Sequence, residues 1–194
     1  STSSNYIGYA VNNYINIIDW GGNKIETITT NVDGDGEFFD WSPDSKEIVF
    51  ENNSSGNIFI SKYNFEMKVM NILTKGEFPS WKINQNIVYV FYNGSTYLLY
   101  QLDSNNQVIP SNVDIYGKFY PQYINNGNEI ALFSNDGYLY KYNLNYDYVA
   151  SSNISLTNFL RVNLNLSGNK IVYDIEHKHI GITDIDGANK KQIK

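Results

Sequence analysis

Residues 36–50, GEFFDWSPDSKEIVF, contain a pattern that the rest of the chain repeats. A short extended run ends in an aromatic residue, Trp41, a turn follows, and a run rich in β-branched residues closes the stretch. The Gly-x-Phe start recurs at Gly76 and Gly117, at spacings of 40 residues (76 − 36) and 41 residues (117 − 76). A fixed period of this length predicts a repeat architecture.

Each repeat contains four short runs of strand-like composition. A first run ends in Trp41, Trp81 or Tyr123, a β-branched second run follows a turn, and two further runs complete the unit. Alternation with a period of two residues, together with turn residues at short intervals, favours strands over helices. An all-β array of four-stranded antiparallel units is therefore predicted. Radial stacking of such units, as in a β-propeller, would bury both faces of each small sheet.

Projecting the period in both directions predicts five units in a single domain covering residues 1–194. Forward projection finds a matching unit near residue 158, whereas residues 6–30 match only the second, third and fourth strands of a unit. The opening blade is therefore predicted to lack its first strand. The predicted blades are approximately residues 5–35, 36–75, 76–116, 117–157 and 158–194.

Two segments resemble a known family. Residues 39–50, FDWSPDSKEIVF, resemble the TolB-like (PD40, WD40-like) blade signature PxWSPDGxxIAF, with Ser45 in place of the glycine. Residues 183–193 are similar to that family's DGxNxxxLT segment. The resemblance implies a β-propeller, and the five units counted from the period make it five-bladed. Because relatives usually have six or more blades, a partial or six-bladed TolB-like propeller is the alternative.

Composition excludes several classes of function. The net charge is −6 and Arg161 is the only arginine, so the chain has no basic stripe for nucleic acid. There is no cysteine and therefore no disulfide or thiolate chemistry. No apolar run is long enough to form an integral membrane segment, and the opening STSSN resembles the stub left when an export signal or an anchoring segment is removed. We predict a bacterial, extracytoplasmic protein that is secreted, periplasmic or membrane-tethered.

The best functional clue is a set of polar residues on the first strands of the blades. In a propeller these strands line the central channel, and the residue before the aromatic position is polar in all four complete units. These candidate ligand-binding residues are Asp40, Ser80, Gln122 and Asn163. They would hold a ligand, an ion or a water cluster, and the alternative is a channel filled with ordinary water.

Arg161 lies on the last of these first strands. Its guanidinium could hold a carboxylate of a ligand in a bidentate manner, or it could pair with an acid of the chain itself. It is included among the ligand-binding candidates, and the internal pair is the favoured interpretation.

No metal site and no cofactor are predicted. His177 and His179 share one strand face beside Glu176, but no further His or Cys is present to complete a metal site. The acidic turn at residues 33–37, DGDGE, lacks the ligand spacing of a calcium loop and is interpreted as a turn between blades.

Tyrosines form the remaining pattern. Tyr138, Tyr140 and Tyr142 alternate along one run, which favours packing between blades. Tyr146 and Tyr148 fall at a strand end and in a loop, where a ring could stack on a sugar or a peptide, and are the surface candidates.

Catalysis has little support in the sequence. A serine triad lacks its nucleophile elbow, and a glycosidase needs paired carboxylates, whereas Asp40 is the one acid placed on a first strand. We therefore predict a non-catalytic, monomeric module that binds a protein or peptide at one mouth of the ring. A carbohydrate-binding, lectin-like module is the alternative, and an inverting glycosidase ranks well below it.

Overall fold

The structure, a computed structural model, describes residues 6–30, 38–82, 84–115, 117–134, 137–154, 159–165, 169–175 and 179–193. Within these ranges every regular element is a strand, apart from a 3₁₀ turn at Asn125–Gly127. The first ten strands are β1 Tyr6–Val11, β2 Tyr14–Asp19, β3 Lys24–Thr29, β4 Phe39–Trp41, β5 Glu47–Ser54, β6 Asn57–Asn64, β7 Val69–Lys75, β8 Glu77–Trp81, β9 Ile87–Tyr92 and β10 Tyr97–Leu102. The others are β11 Val108–Ile109, β12 Lys118–Ile124, β13 Glu129–Ser134, β14 Tyr138–Asn143, β15 Tyr148–Asn153, β16 Phe159–Leu164, β17 Lys170–Ile175, β18 His179–Asp184 and β19 Lys191–Ile193.

The strands form five antiparallel sheets, and the order of strands in each sheet follows the chain. The first sheet has three strands, β1 to β3, and each of the other four has four: β4 to β7, β8 to β11, β12 to β15 and β16 to β19. The prediction of five consecutive antiparallel sheets is confirmed, and among the described residues the first sheet consists of three strands. That the chain forms one domain with the predicted blade boundaries stays a prediction.

The described chain divides into two compact units, each of which contains buried apolar clusters. The first unit comprises residues 1–92 and 100–109, and the second comprises residues 93–99 and 110–194. Apolar side chains from neighbouring sheets of the same unit form each core, as expected for sheets that bury both faces. In the first unit the core includes Ile15, Ile17, Ile48, Phe50, Ile60, Trp81, Ile87, Tyr89 and Leu102. In the second unit it includes Ile124, Ala131, Phe133, Leu139, Ile154, Val162 and Ile171.

Burial differs with the position of a strand in its sheet. In the second, third and fourth sheets, the second strand (β5, β9 or β13) is largely buried. The last strands β7, β11 and β15 are largely exposed. We call the first strands β4, β8, β12 and β16 the inner strands, following the prediction that they line the channel.

A bulge interrupts two inner strands where an aromatic residue precedes a proline. The pairing register shifts between Glu77 and Ser80 in β8. Within that bulge Phe78 has a φ of 54°, an outlier for a bulky residue. Its backbone N–H donates to Glu51 Oε1 at 2.6 Å, and Pro79 follows as a buried residue. Proline is tolerated here because a bulge needs no ladder hydrogen bond from it.

The second unit repeats this bulge. In β12 the register shifts between Phe119 and Gln122, Tyr120 has a φ of 55°, and the buried Pro121 follows. In both strands a polar residue follows the proline and directly precedes an aromatic residue. None of the described residues belongs to a helix that could cross a membrane.

Candidate functional site on the inner strands

The structure gives the four predicted polar residues equivalent positions. The aromatic position of each inner strand pairs with an isoleucine of the second strand, as in Trp41 with Ile48 and Trp81 with Ile87. The residue before the aromatic position pairs with a residue one place further along the second strand. The polar residues and their pairing partners are Asp40 with Val49, Ser80 with Val88, Gln122 with Ala131 and Asn163 with Val172.

In the first unit, Asp40 connects two neighbouring inner strands. Its Oδ2 accepts hydrogen bonds from the backbone N–H of Trp81 at 2.8 Å and from the Ser80 hydroxyl at 3.1 Å. Its Oδ1 accepts from the backbone N–H of Trp41 at 2.8 Å. We call a side chain that bonds the next inner strand in this way a latch. Asp40 therefore faces three donors with its two carboxylate oxygens.

Burial and hydrogen bonding act on the Asp40 carboxyl in opposite directions. The residue as a whole is half-buried, but loss of hydration is the largest influence and raises the pKa of the carboxyl. The hydrogen bonds from Trp81, Trp41 and Ser80 favour the ionised form and lower it. The net result is a pKa above the ordinary value of 3.8.

In the second unit, Gln122 forms the equivalent latch with different chemistry. Its Nε2 donates to the carbonyl oxygen of Val162 at 2.6 Å and to Asn163 Oδ1 at 3.1 Å. Its Oε1 accepts from the backbone N–H of Leu164 at 2.7 Å. Leu164 occupies the aromatic position of its strand, as Trp81 does in β8, so Gln122 and Asp40 each accept from the backbone N–H at the equivalent position of the next inner strand.

The latches give the predicted ligand-binding residues a structural role. Ser80 is buried and donates to Asp40, whereas Asn163 is exposed and accepts from Gln122. A ligand contact through these four residues stays a prediction, and Asn163 is the member that best meets solvent.

Several other candidates fall where the structure gives no side-chain account. Arg161 lies on β16 and His179 on β18, but their side chains are outside the description. Glu176, His177 and residues 33–37 lie outside the described residues. In the described part of the chain, no group of three or more His, Cys, Asp or Glu side chains could hold a metal ion.

The tyrosines separate into packed and exposed groups. Tyr138 and Tyr140 are half-buried with ring centroids 6.2 Å apart, and Tyr142 is buried. Of the two surface candidates, Tyr146 is half-buried, whereas Tyr148 is 58% exposed. The Tyr148 ring contacts Tyr142 edge to face at 6.1 Å, and its hydroxyl donates to Ser151 Oγ at 3.0 Å.

Sequence reasoning missed an exposed apolar surface beside β7. Met67, Val69, Met70 and Ile72 lie in the turn before this strand and on the strand itself, and all four are exposed, Met67 by 64% and Ile72 by 51%. We call these four residues the β7 surface. The sequence of residues 68–74, KVMNILT, predicts only the fourth strand of a unit. Its apolar residues carry no signal that distinguishes an exposed outer strand from a buried one.

Five consecutive antiparallel sheets, four of which have equivalent inner strands, form the arrangement of a β-propeller. TolB from Acinetobacter baumannii has a similar crystal structure, with a TM-score of 0.73 and 18% sequence identity over 100% of this chain and 54% of that chain. A protein described as a candidate TolB, from Agrobacterium tumefaciens, is similar with a TM-score of 0.68 and 14% identity over 97% of this chain and 81% of that chain. At these identities the likeness shows the fold.

The chain spans about half the length of the Acinetobacter protein. No family model matches the chain, and no curated protein matches it. The resemblance to TolB is therefore confirmed for the propeller fold, and membership of the PD40 family stays a prediction.

Proposed function

We propose that this protein is a non-catalytic binding module for a protein or peptide. The observation that supports it most is the β7 surface, where Val69, Met70 and Ile72 are exposed on one outer strand with Met67 beside them. Met70 and Ile72 are two residues apart on β7 and therefore share one face of the strand, and exposed apolar residues that lie together mark interaction sites more often than isolated ones do. Two of the four side chains are methionines, whose flexible thioethers adapt to varied partners.

The chemistry of the inner strands supports a binding role over hydrolysis. A glycosidase places two carboxyl groups on either side of the scissile bond, at a separation of about 5 to 9.5 Å. The structure places two acids on inner strands, Glu77 at the start of β8 and Asp40 on β4, and both oxygens of Asp40 accept hydrogen bonds from the protein. Its carboxyl serves the fold, so it is a poor general acid or base.

A peptide-display selection against the full chain tests the proposal. Peptides enriched from a random library should bind the wild type and lose at least about tenfold in affinity for Ile72→Asp, because a charge would disrupt the apolar contact. Ile25→Asp is the matched control, since Ile25 is also an exposed isoleucine on a last strand, β3. Failure to enrich any peptide, or equal binding to both variants, would contradict the proposal. Release of sugar from arabinan or a similar glycan would identify an enzyme instead.

One observation favours carbohydrate as a second candidate ligand. The exposed Tyr148 ring follows a turn in which Asn143 Oδ1 accepts from the backbone N–H of Asn145 and of Asp147, each at 2.9 Å. An aromatic ring bordered by amide and carboxylate groups suits stacking on a sugar. Binding on a glycan array that disappears in Tyr148→Ala would select this function. That the protein is monomeric and works outside the cytoplasm, and that a ligand enters at a mouth of the ring, stay predictions of the sequence.

A further inference from the structure

A buried polar pair lies next to the β7 surface. Asn52 on β5 is 3% exposed, and Ser61 on β6 is fully buried. Among the residues that the structure describes, neither Asn52 Oδ1 nor Ser61 Oγ has a hydrogen-bond partner. Buried polar atoms without partners destabilise a fold, and native proteins retain them mainly at functional sites. The pair is therefore a candidate for binding a polar group of a ligand.

Strand pairing places this pair on the same face of the second sheet as the apolar side chains of β7. Paired residues of neighbouring strands point to the same side of a sheet. Ser61 pairs with Phe50, which is two residues from Asn52, so the side chains of Asn52 and Ser61 share a face. Ser61 pairs in turn with Ile72 of β7, and Tyr63 pairs with Met70. This face is thus apolar and exposed at β7 and becomes polar and buried toward β5.

Met70 connects the β7 surface to the polar pair. Asn52 Nδ2 donates to Met70 Sδ at 3.8 Å, and a thioether sulfur is only a weak acceptor. The amide of Asn52 therefore makes one weak bond in the protein. Met70 is 43% exposed, and its unbranched side chain has three rotatable bonds. Rotation of this side chain would open a path from the β7 surface to the Asn52 amide.

The bonding capacity of Asn52 identifies the chemical group that complements it. Oδ1 needs a donor, and Nδ2 beside it needs a stronger acceptor than sulfur. A carboxylate only accepts, and an ammonium or guanidinium group only donates. A trans peptide unit directs its N–H and C=O groups to opposite sides, whereas a primary amide presents both on one side. A primary amide can therefore form two hydrogen bonds with Asn52.

The depth of the site determines the length of the side chain that reaches it. Asn52 lies on β5, two strands from β7, and neighbouring strands are about 4.8 Å apart. Met70 spans this distance with its sulfur, the third atom of its side chain. Glutamine has its amide carbon at the same position, whereas the amide carbon of asparagine is one atom closer to the backbone. Glutamine is therefore the residue that best replaces the thioether.

We propose that the partner of the β7 surface inserts a glutamine side chain, which displaces the Met70 thioether and pairs with the Asn52 amide. Apolar residues beside that glutamine would contact Ile72. The Ser61 hydroxyl lies diagonally across from Asn52 and offers a further donor and acceptor. The proposal rests on the binding function proposed above and adds the chemistry of the residue that anchors the partner.

Peptide libraries with one fixed residue test the proposal with the full chain. Three display libraries would carry a central glutamine, glutamate or leucine between random positions. The glutamine library should enrich most strongly, because glutamate has a similar shape without the donor and leucine has neither group. Replacing the glutamine of a selected peptide with glutamate should weaken binding at least about fivefold.

The same selection separates this proposal from the function on which it rests. Peptides that require Ile72 but show no preference for glutamine would overturn the proposal and leave the binding function intact. Failure of all three libraries to enrich a peptide would contradict both. Equal affinity after the change from glutamine to glutamate would also overturn the proposal.

Asn52→Leu locates the site in the protein. This variant removes the amide and nearly preserves the size of the side chain, so it should weaken binding of the glutamine peptides at least about fivefold. Its urea midpoint of unfolding should equal or exceed that of the wild type, because the amide makes only one weak bond. Asn71→Leu is the matched control, since Asn71 is exposed and points to the opposite face of β7, and it should bind as the wild type does.

Three results with these variants would contradict the proposal. A lower urea midpoint for Asn52→Leu would show that the amide already has partners inside the fold, such as internal water. Unchanged affinity of Asn52→Leu for the glutamine peptides would show that they do not contact the amide. An equal loss of affinity in Asn71→Leu would place the peptides on the other face of the sheet.

Discussion

The two latches use the same geometry with different chemistry. Asp40 in the first unit and Gln122 in the second both bond the backbone N–H at the aromatic position of the next inner strand, Trp81 and Leu164. The remaining partners differ. Asp40 meets two further donors, the N–H of Trp41 and the Ser80 hydroxyl, whereas Gln122 meets two acceptors, the Val162 carbonyl and Asn163 Oδ1.

The difference shows how neighbours select a residue at an equivalent position. A carboxylate only accepts, so it suits three donors, and an amide both donates and accepts, so it suits one donor and two acceptors. The residue at position 80 or 163 therefore has to match the latch that reaches it. Exchanging the two chemistries should disrupt each site for a predictable reason.

Removing a latch should have the largest effect. We expect Asp40→Ala to lower the free energy of unfolding by about 3 kcal/mol, because three donors lose their acceptor, and Gln122→Ala by about 2 kcal/mol. Urea unfolding of both variants measures these losses. A loss below about 0.5 kcal/mol in either would show that the latch does not stabilise the fold.

Replacing the amide of Gln122 with a carboxyl group should have the next largest effect on stability. In Gln122→Glu, a carboxylate oxygen would face the Val162 carbonyl and Asn163 Oδ1, so we expect a loss of about 2 kcal/mol. Gln122→Met, which has similar length and no charge, separates this repulsion from simple loss of the hydrogen bonds. If Gln122→Glu unfolds at a higher urea concentration than Gln122→Met, the assignment of the amide nitrogen is wrong.

Only the acidic latch should depend on pH. Folding raises the pKa of Asp40 above its ordinary value of 3.8, so the protonated carboxyl favours the folded state. The stability of the wild type relative to Asp40→Asn should be greatest below that ordinary pKa and should fall as pH rises through the raised pKa. The difference between wild type and Gln122→Ala should stay constant over the same range. A relative stability that increases with pH would contradict the sign of the shift.

Substitutions of Ser80 and Asn163, whose side chains the latches contact, should change stability least. Ser80→Ala removes one buried hydrogen bond and should cost about 1 kcal/mol. Asn163→Ala changes an exposed residue and should cost no more than about 0.5 kcal/mol. Thermal unfolding of the two variants provides the comparison, and a larger loss in Asn163→Ala would mean that exposure does not determine the contribution of these residues.

The repeat and the aromatic position could be predicted from sequence because both depend on spacing along the chain. The period aligns Trp41 with Trp81 and Tyr123, and the pairing of Leu164 with Ile171 places Leu164 at the equivalent position of β16. The same alignment predicts that the residue immediately before the aromatic position is polar.

The contacts of those polar residues could not be predicted, because they depend on distances between sheets. Nothing in the sequence indicates that Asp40 bonds Trp81, 41 residues away. The backbone conformation of the bulge could not be predicted from the sequence either. A residue before proline is usually extended, yet Phe78 has a φ of 54° because the surrounding fold, including the Glu51 carboxylate, holds it there.

Hydrogen exchange at two backbone amides tests the latch account most directly. Exchange at Trp81 and Leu164 would be measured in Asp40→Ala and in Gln122→Ala, each relative to buried second-strand amides of the same unit. Asp40→Ala should accelerate exchange at Trp81 and leave Leu164 unchanged, and Gln122→Ala should do the reverse. If Trp81 exchanged at the same rate in both variants, and Leu164 did so as well, the account would be contradicted.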